Sequence, residues 1–543
     1  MNHPRHDITP LLHPGDDLGT GPRRTRRPVY LSHLAPCQEA CPVSEDIQAW
    51  LAQVQAGQHY RAWTILAEAN PLPGVHGRVC YHPCESGCNR VELDGGVSIH
   101  AVERLLGDLA AKQGWRVPLA PPSGKRVLVI GSGPAGLSAA YHLCRLGHAV
   151  EIHEAGDRAG GMLRTGIPAY RLPRDVLRDE IRRIQDLGVK IVLNSRIDDV
   201  AATREAGSFD AVFVAIGNQL GKRIALPGDS AHVITAVDLL RQTDAGKPPV
   251  LGRRVAVYGA GNTAMDAART AVRLGAQDVT IVFIGDRARM EAHAFEANEA
   301  ESEGVRFRWL AAIRAVGNGT LTLEDMAPDA SGTPQPTGIH GVMEADTLVL
   351  ALGQRADSAF LAQLPGVVVR PDGAVPVDGN LMTGAPGIYA GGDLVPGDRT
   401  VTRATGDGRR AAQAIDAWLR GVEPALPLAR PRVSFAMMNL PLFTVRAATA
   451  QREAPAASRA VGFGEVLAAL TPEQAQREAN RCLSCGNCFE CDQCYAACPE
   501  DAIVRQGRGN GYRIDPDRCT GCAVCVDQCP CHAMDMQSEE AAS

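Results

Sequence analysis

The stretch RVLVIGSGPAGLSAAYHLCRLGHAVEIHEA, residues 126–155, decides the fold of the central part of the chain. Its pattern is typical of a buried strand, a glycine-rich turn, a helix and a second strand that ends in an acid. Gly131 allows the tight turn, Gly133 lets backbone approach a pyrophosphate, and Gly136 permits close helix–strand packing. Glu154 ends the second strand, where it can accept from ribose hydroxyls. A glycine pattern alone also fits a merely tight turn, but strand, helix and acid at these offsets predict a dinucleotide-binding unit.

A second stretch, RVAVYGAGNTAMDAARTAVRLGAQDVTIVFI at 254–284, repeats this arrangement. Gly259 and Gly261 hold the first two glycine positions, and Ala264 replaces the third, a change that the motif tolerates. Two such units in one chain predict two dinucleotides that face each other, one of them a flavin.

The segment GIYAGGD at 387–393 predicts a third contact with the flavin. It reads as a strand that ends at Asp393, which we expect beside the ribityl–phosphate part of the molecule. The helix that starts near Val401 would direct its N-terminus at the isoalloxazine ring, because that end of a helix carries partial positive charge. Short β-branched runs alternate with helical stretches over 126–420, which predicts parallel α/β units.

Composition excludes several classes of protein. With 543 residues the chain is too long for one hydrophobic core, so about three to five domains are expected. A formal charge of −6 and 4% aromatic residues give no basis for nucleic-acid binding. We see no apolar run long enough for a membrane span and no signal-peptide pattern, so a cytoplasmic protein is expected.

Cysteine is the unusual residue, with 17 copies: five between Cys37 and Cys88, eleven between Cys482 and Cys531, and Cys144 alone. The C-terminal block contains two C-x2-C-x2-C-x3-C-P runs, the pattern that ligates the clusters of bacterial two-cluster ferredoxins. In that pattern the fourth cysteine of each run serves the other cluster, so Cys529 would complete the first set and Cys498 the second. Structural zinc is the alternative, although it more often uses two separated pairs. Cys531 is left over. The predicted ligands are Cys488, Cys491, Cys494, Cys498, Cys519, Cys522, Cys525 and Cys529.

Three segments together resemble a known family. The run GGMLRTGIPAYRLPRDVL at 160–177, the GAGNTAMDAAR turn and YAGGD are similar to the glutamate synthase small subunit and its relatives. Those relatives include the electron-bifurcating transhydrogenase large subunit and the N-terminal half of dihydropyrimidine dehydrogenase. The resemblance implies FAD in the first loop and NAD(H) or NADP(H) in the second. The implied cofactor-binding residues are Gly131, Gly133, Gly136, Glu154, Gly161, Arg171, Gly217, Gly259, Gly261, Asn262, Ala264, Gly392, Asp393 and Thr400.

The resemblance also bears on the N-terminal cysteines. Relatives usually carry a further RCxxC pair upstream of Cys37, which this chain lacks, yet EANRCLSCG at 478–486 has the look of that pair. We infer that it returns from the C-terminal part of the chain, and family precedent gives the other ligands. Up to four [4Fe–4S] clusters are then expected; the alternative is that the N-terminal cysteines form only one cluster or are partly vestigial. One predicted set is Cys37, Cys88, Cys482 and Cys485, and the other is Cys41, Cys80, Cys84 and Glu103.

The fold class implied is a multidomain α/β protein. It has an N-terminal α-helical Fe–S domain, two Rossmann-like domains with the second inserted in the first, and a C-terminal bacterial ferredoxin-like α+β domain. The expected divisions are a flexible arm at 1–30, a helical Fe–S domain at 31–118, an FAD domain at 119–245 and 340–420, an NAD(P) domain at 246–339, a linker at 421–479 and the ferredoxin domain at 480–543.

One departure from the family concerns the nucleotide. Relatives that use NADPH commonly have a Tyr-Arg-Arg stretch after the second strand of this unit, suited to a 2′-phosphate. Here Phe283, Ile284 and Gly285 stand in its place, and Arg287 and Arg289 are displaced along the chain. The sequence therefore favours NADH.

The function expected is electron transfer. Nicotinamide exchanges two electrons as a hydride, each cluster exchanges one, and a flavin can do both. We therefore expect an NAD(P)H:acceptor oxidoreductase subunit in a hetero-oligomer, serving ferredoxin or a 2-oxoacid:acceptor oxidoreductase. A glutamate synthase small subunit is an alternative, against which the added ferredoxin domain counts. A third reading is a non-enzymatic redox-sensing or assembly module that retains FAD.

Overall fold

The first quoted stretch forms a strand at Arg126–Ile130, a helix at Pro134–Arg145 and a strand at Ala149–His153. These elements are seen in a computed structural model, which describes residues 24–228, 232–424, 430–507 and 509–539. Val127, Leu128 and Val129 are all fully buried, since the strand is covered on both faces, as parallel strands usually are. Pro134 occupies the first helical turn, where its missing N–H leaves no bond unmade.

The first Rossmann-like domain is built on a five-stranded parallel sheet. The long helix Val401–Arg420 packs closely against Pro134–Arg145, with their backbones in contact at Gly408. A Cβ at Gly408 would lie only 2.2 Å from the carbonyl oxygen of Ala135, so this close approach requires glycine. Further helices of this domain are Met162–Thr165, Arg174–Gln185 and Val200–Ala206. The strand order is Ile388–Ala390, Ala211–Val214, Arg126–Ile130, Ala149–His153 and Lys190–Val192.

The second Rossmann-like domain has its own parallel sheet. Its helices are Ala236–Asp244, Asn262–Arg273 and Ala294–Ser302. A three-stranded antiparallel sheet, Ala311–Val316, Thr320–Pro328 and Pro334–Glu344, follows in the chain. The parallel strand order is Arg306–Arg308, Asp278–Val282, Arg254–Tyr258, Thr347–Leu350 and Val233–Thr235.

The boundaries of the second domain differ from the expected 246–339. Val233–Thr235 and Thr347–Leu350 lie outside that range, yet both belong to the second sheet. The chain crosses between domains through a small antiparallel pair, Leu220–Gly221 with Gln354–Arg355. Short apolar strands carry no sequence mark of the sheet that they join, so the position of this crossing was not predictable from periodicity.

The N-terminal domain is helical. Trp50 and Trp63 are fully buried at its centre. The backbones of the helices Pro73–Val79 and Ile99–Gln113 are in contact at Gly77. A Cβ at Gly77 would lie only 2.5 Å from the Cα of Arg104. Its helices are Pro36–Ala40, Ile47–Gln55, His59–Ala69, Pro73–Val79, Pro83–Ser86 and Ile99–Gln113, with a 3-10 turn at Asn89–Glu92.

The C-terminal domain has the small size of a two-cluster ferredoxin. It contains the helices Gln493–Ala497 and Val524–Asp527 and the hairpin Ile503–Arg505 with Tyr512–Ile514. Its last strand, Met534–Ser538, pairs antiparallel with Arg26–Tyr30.

That pairing corrects the expected flexible arm at 1–30. Residues 26–30 form an edge strand of the ferredoxin domain, and residues 1–23 lie outside the described residues. The strand was missed because its arginines resemble a solvated tail. An edge strand tolerates both charges and Pro28, since one of its sides faces solvent.

The expected linker at 421–479 follows the surfaces of other domains over its described part from residue 430. Backbone groups of Thr444 and Leu467 accept bonds from Arg90 and Arg104 of the helical domain. The segment ends in the helix Pro472–Ala479, which begins with the predicted capping box of Thr471 and Gln474. Within the described residues, no helix combines the length and the apolar character that crossing a bilayer requires.

Candidate active site and thiol sets

A single cavity of about 940 Å³ lies between the two Rossmann-like domains, and both glycine-rich loops open onto it. The second loop meets it at Gly261, and the strand end at 391–393 forms another part of its wall. The predicted residues that line it are Gly131, Gly133, Glu154, Gly161, Arg171, Gly217, Gly261, Asn262, Gly392, Asp393 and Thr400.

Three predicted residues stand behind the cavity wall instead. A Cβ at Gly136 would lie 1.9 Å from the carbonyl oxygen of Gly131, and one at Gly259 would lie 2.4 Å from that of Ala351. Ala264 is fully buried in its helix. These positions shape the turns and do not contact the cavity.

The first loop forms a cradle of backbone groups. Gly133 caps the helix Pro134–Arg145 and has open space in front of its Cα, whereas a Cβ at Gly161 would come within 2.8 Å of the Cα of Gly133. Gly161 also has φ of +52°, a left-handed conformation that glycine adopts readily. Unpaired N–H groups at a helix N-terminus suit an anionic pyrophosphate, so the cradle fits a dinucleotide.

Glu154 braces this turn. Its carboxylate accepts bonds from the Ser132 backbone N–H at 3.0 Å, the Ser132 hydroxyl at 2.5 Å and the Gly156 N–H at 2.8 Å. It also lines the cavity, so the contact with ribose hydroxyls stays a prediction.

A second helix N-terminus faces the cavity. The Thr400 hydroxyl accepts from the backbone N–H of Arg403 and caps the helix Val401–Arg420, while Thr400 and Val401 both line the cavity. Asp393 lies beside them, and burial raises the pKa of its carboxyl to about 6. This end of the cavity therefore combines a positive helix terminus with a carboxyl that resists ionisation.

Arg171 belongs to the first Rossmann-like domain and lines the cavity, but its ion pairs are with carboxylates of the second domain. Its guanidinium lies 2.8 Å from a carboxylate oxygen of Asp266 and 2.5 Å from one of Glu296. Sequence analysis missed both carboxylates, because their role depends on how the two domains meet. Asp266 was visible inside the second quoted motif, whereas nothing in the sequence marked Glu296.

The C-terminal thiols form two groups, each completed from the other run. Partial burial of the sulfur and then neighbouring thiols raise the pKa of Cys488 to about 11, and these neighbours are Cys494, Cys529 and Cys491. For Cys525 the pKa rises to about 12 through burial and through Cys519, Cys522, Cys494 and Cys498. Cys531 is buried, with its sulfur 3.8 Å from that of Cys529.

The two ends of the chain meet at a third group, which we call the shared set: Cys37, Cys88, Cys482 and Cys485. Burial and then the other three thiols raise the pKa of Cys37. Asn89 donates to the sulfur of Cys485 at 3.4 Å. Burial also raises the pKa of Cys482 to about 11, so a bound metal is what would hold these sulfurs as thiolates.

A fourth group, the cavity set, consists of Cys41, Cys80, Cys84 and Glu103. Burial and the charges of nearby groups, including Cys41 and Cys80, raise the pKa of Cys84. Glu103 is buried, lies near enough to Cys41 and Cys80 to raise their pKa, and accepts from Asn70 at 2.6 Å.

Three further observations join the cavity set to its surroundings. A second buried carboxylate, Glu45, raises the pKa of Cys41 and also accepts from Asn70. Cys80 lies between Val79 and Tyr81, which both line the cavity. The Thr402 hydroxyl, in the first turn of Val401–Arg420, donates to the sulfur of Cys80 at 3.1 Å. The cavity set therefore adjoins the cavity.

Two dinucleotide loops on one cavity, with sets of thiols beside it, define a class: flavin- and iron–sulfur-dependent NAD(P)H oxidoreductases. Family models agree with this arrangement. The pyridine nucleotide-disulphide oxidoreductase model matches residues 125–415, the dihydropyrimidine dehydrogenase domain II 4Fe-4S cluster model matches 27–115, and the 4Fe-4S dicluster domain model matches 487–533.

Curated relatives extend over most of the chain. The beta subunit of the NADP(+)-dependent formate dehydrogenase of Moorella thermoacetica is 37% identical over 523 residues, covering 87% of this chain and 74% of that protein. The beta subunit of the NADPH-Fe(3+) oxidoreductase of Geobacter sulfurreducens is 32% identical over 505 residues, covering 83% and 75%. The small chain of the NADPH glutamate synthase of Escherichia coli is 32% identical over 419 residues, covering 70% and 88%.

The chain belongs to the pyridine nucleotide-disulphide oxidoreductase family, with 4Fe-4S domains at both ends. The resemblance to the glutamate synthase small subunit and the multidomain α/β fold class are confirmed. FAD, NAD(P)H and [4Fe–4S] clusters are its cofactors, and it is an oxidoreductase. The zinc reading of the C-terminal runs and the non-enzymatic reading are not supported.

Proposed function

We propose that this chain is the electron-transfer subunit of an NAD(P)H:acceptor oxidoreductase, working in the cytoplasm as part of a hetero-oligomer. FAD supplies the step between two-electron exchange with nicotinamide and one-electron exchange with clusters. The chain's own residues would hold the two dinucleotides on one cavity and place the cluster ligands in series away from it.

The series of thiol sets is the observation that supports this proposal best. Cys80 of the cavity set adjoins the cavity, and Cys37 and Cys41 are only four residues apart, so the helix Pro36–Ala40 links the cavity set to the shared set. In the same way, Cys485 of the shared set stands three residues before Cys488 of the ferredoxin domain. Four helical residues span about 6 Å. The three residues from Cys485 to Cys488 are not helical and span at most about 10 Å, so neighbouring sets lie close together.

The series ends at the surface. Cys522, in the ferredoxin set farthest along the chain from Cys485, is exposed, as is Cys488. An exposed ligand is where a partner protein could approach a cluster closely, so we place electron exchange with the partner at the ferredoxin domain.

The fourth ligand of the cavity set is proposed to be the Glu103 carboxylate. Its position beside Cys41 and Cys80 supports this assignment. Glu45 is the competing carboxylate, and Asn70 donates to both, which holds the pair of acids together in a buried site.

For the nucleotide we propose NADH. Arg287 is paired with Glu301 at 2.6 Å, and Arg289 donates to the carbonyl oxygen of Ser331, so both are engaged away from the second loop. Asp286, just beyond the second strand, suits a ribose 2′-hydroxyl better than a phosphate. The names of the three relatives specify NADPH or NADP(+), which makes the comparison of nucleotides a sharp test.

The partner is proposed to be ferredoxin or the catalytic subunit of an oxidoreductase such as a 2-oxoacid:acceptor enzyme. The similarity to a formate dehydrogenase beta subunit over 87% of the chain favours a formate dehydrogenase as a second candidate. The glutamate synthase alternative is weaker, because that small chain matches only 70% of this chain.

Anaerobic purification with iron and flavin counts, followed by titration with NADH and then NADPH, tests the proposal. We expect one FAD and about sixteen irons per chain, since four [4Fe–4S] clusters are proposed. About eight irons would remove the two N-terminal clusters. A Cys144→Ser variant is the matched control, because this thiol lies outside the four sets and its sulfur donates to the Leu187 carbonyl oxygen.

A further inference from the structure

Three domains meet at one buried point on the cavity wall. Arg171 comes from the FAD domain, Asp266 and Glu296 come from two helices of the NAD(P) domain, and Tyr81 comes from the helical Fe–S domain. Arg171, Asp266 and Tyr81 all line the cavity. We call these four residues the junction.

The carboxylates that pair with Arg171 in the described part of the chain both belong to the NAD(P) domain. Glu296 is fully buried, and burial raises the pKa of its carboxyl to about 7, while the Arg171 guanidinium favours its ionised form. Within the described residues its oxygens have no hydrogen-bond partner, so its interaction with the guanidinium is one of charge. Asp266 is also buried and receives a hydrogen bond at 2.8 Å. A guanidinium in the FAD half of the cavity is thus paired, among the described residues, with carboxylates of the neighbouring domain.

Tyr81 ties the Fe–S domain to the same point. Its hydroxyl lies close enough to the Arg171 guanidinium to feel its charge, and its ring stacks on His293 of the NAD(P) domain with the ring centres 3.9 Å apart. The backbone N–H of His293 donates to the side chain of Asn262 on the second glycine-rich loop. The junction therefore connects the second loop, the cavity and the residue next to Cys80.

We propose that Asp266 and Glu296 are positioning residues that fix the Arg171 guanidinium and set the net charge beside the flavin, so that the NAD(P) domain controls the flavin reduction potential. A positive charge near a flavin favours its reduced, electron-rich form, and a nearby carboxylate opposes this effect. In a buried site such charges are weakly screened, so the loss of one carboxylate is felt strongly. The inference rests on the proposed placement of FAD in the first loop.

The test is a redox titration of the flavin in the holoprotein, with a chemical reductant and mediator dyes, for the wild type and a Glu296→Gln variant. We expect the variant to keep its FAD and to shift the flavin midpoint potential in the positive direction. Asp266→Asn should shift it the same way. Glu301→Gln is the matched control: it lies on the same helix as Glu296, and it pairs with the exposed Arg287 of its own domain. The control should leave the potential unchanged.

If Glu296→Gln retains FAD and has the wild-type potential, the proposal is wrong. Should that variant fail to fold, Tyr81→Phe replaces it: this change removes the hydroxyl beside Arg171 and keeps the ring that stacks on His293. It should produce a smaller positive shift, and an unchanged potential would overturn the proposal. Because the titration uses no nucleotide, failure of NADH and NADPH to reduce the wild-type flavin would count against the proposed function alone.

Discussion

At the residue scale, the chain buries groups that would be charged in water. His142, on the helix that follows the first loop, is buried and donates from Nε2 to the carbonyl oxygen of Ala69. Burial, aided by the nearby charges of Arg409 and Arg145, lowers the pKa of its imidazole to about 3. The folded protein therefore holds His142 neutral at every pH near neutrality.

This predicts an acid sensitivity with a defined sign. The pKa of His142 is about 6.5 in the unfolded chain and about 3 in the folded protein. Its contribution to stability is therefore fully present above pH 6.5 and is lost as the pH falls from 6.5 towards 3, because only the unfolded chain takes up the proton. At pH 5 the wild type should have lost about 2 kcal/mol of unfolding free energy through this group. Anaerobic urea unfolding of the wild type and His142→Gln at pH 8 and pH 5 measures it. A difference between the two proteins that does not change with pH would contradict the account.

At the residue scale, the sequence allowed assignments where the chemistry is local. The glycines of the two loops and the cysteine runs carry their roles in their spacing. Arg171 was assigned to the cofactor alone, and its two carboxylate partners went unnoticed, because Asp266 and Glu296 meet it only after two domains have packed. Glu45 was missed because it comes beside Cys41 and Glu103 only when the helices of the Fe–S domain have packed.

At the element scale, the strand Arg26–Tyr30 has a direct role in the ferredoxin domain. It completes the edge of that domain, and the Tyr30 hydroxyl lies 3.2 Å from the sulfur of Cys494. Arg24, just before the strand, donates to the carbonyl oxygen of Cys519 at 2.7 Å. The strand thus contacts a ligand-bearing segment of both C-terminal sets.

Deletion of residues 1–30 should therefore expose the C-terminal clusters. We expect their visible absorbance and reduced-state EPR signals to decay faster in air than in the full chain, because an edge of the domain loses its cover. Tyr30→Phe, which removes only the hydroxyl, separates the contact with Cys494 from the loss of the strand. Equal decay rates in the deletion and the full chain would show that the strand does not protect the clusters.

The turn after Asp278–Val282 predicts the choice of nucleotide. An Ile284→Arg/Gly285→Arg double variant introduces the two arginines expected of NADPH-using relatives. A charge-assisted hydrogen bond to a phosphate is worth about 1.5–3 kcal/mol. We therefore expect kcat/KM for NADPH to rise about tenfold or more. The Phe283 ring must move, since a Cβ at Gly285 would lie 2.7 Å from it.

Arg287→Ala is the control for this variant, because Arg287 is exposed and paired with Glu301. Its ratio of NADH to NADPH activity should equal that of the wild type. If the wild type already prefers NADPH in steady-state assays, the assignment of this turn to NADH is wrong.

Elements were predictable where a pattern spans many residues, as in the two βαβ units and the capped helix at Thr471. Domain boundaries were less so. Tertiary packing decides which sheet Val233–Thr235 and Thr347–Leu350 join. It also decides that Arg26–Tyr30 pairs at the edge of the ferredoxin domain. A short strand carries too little information to name its partner.

At the scale of the whole molecule, segments from the two ends of the described chain contact each other. Its N-terminal strand and its C-terminal strand are paired, and Cys482 and Cys485 return to Cys37 and Cys88. The family resemblance implies an RCxxC pair upstream of Cys37; in this chain a pair of that form stands at 481–485 and reaches Cys37 and Cys88 in space. This arrangement puts the ferredoxin domain next to the helical Fe–S domain, so one polypeptide can join the cavity to an exposed cluster.

The most direct measurement of this central claim is rapid-freeze EPR after anaerobic mixing with NADH. In a Cys80→Ala variant, which breaks the set beside the cavity, we predict that the flavin is still reduced while the C-terminal clusters stay oxidised on the timescale of turnover. A Cys144→Ala control should behave as the wild type. Reduction of the C-terminal clusters in Cys80→Ala at the wild-type rate would contradict a path that leaves the cavity through Cys80.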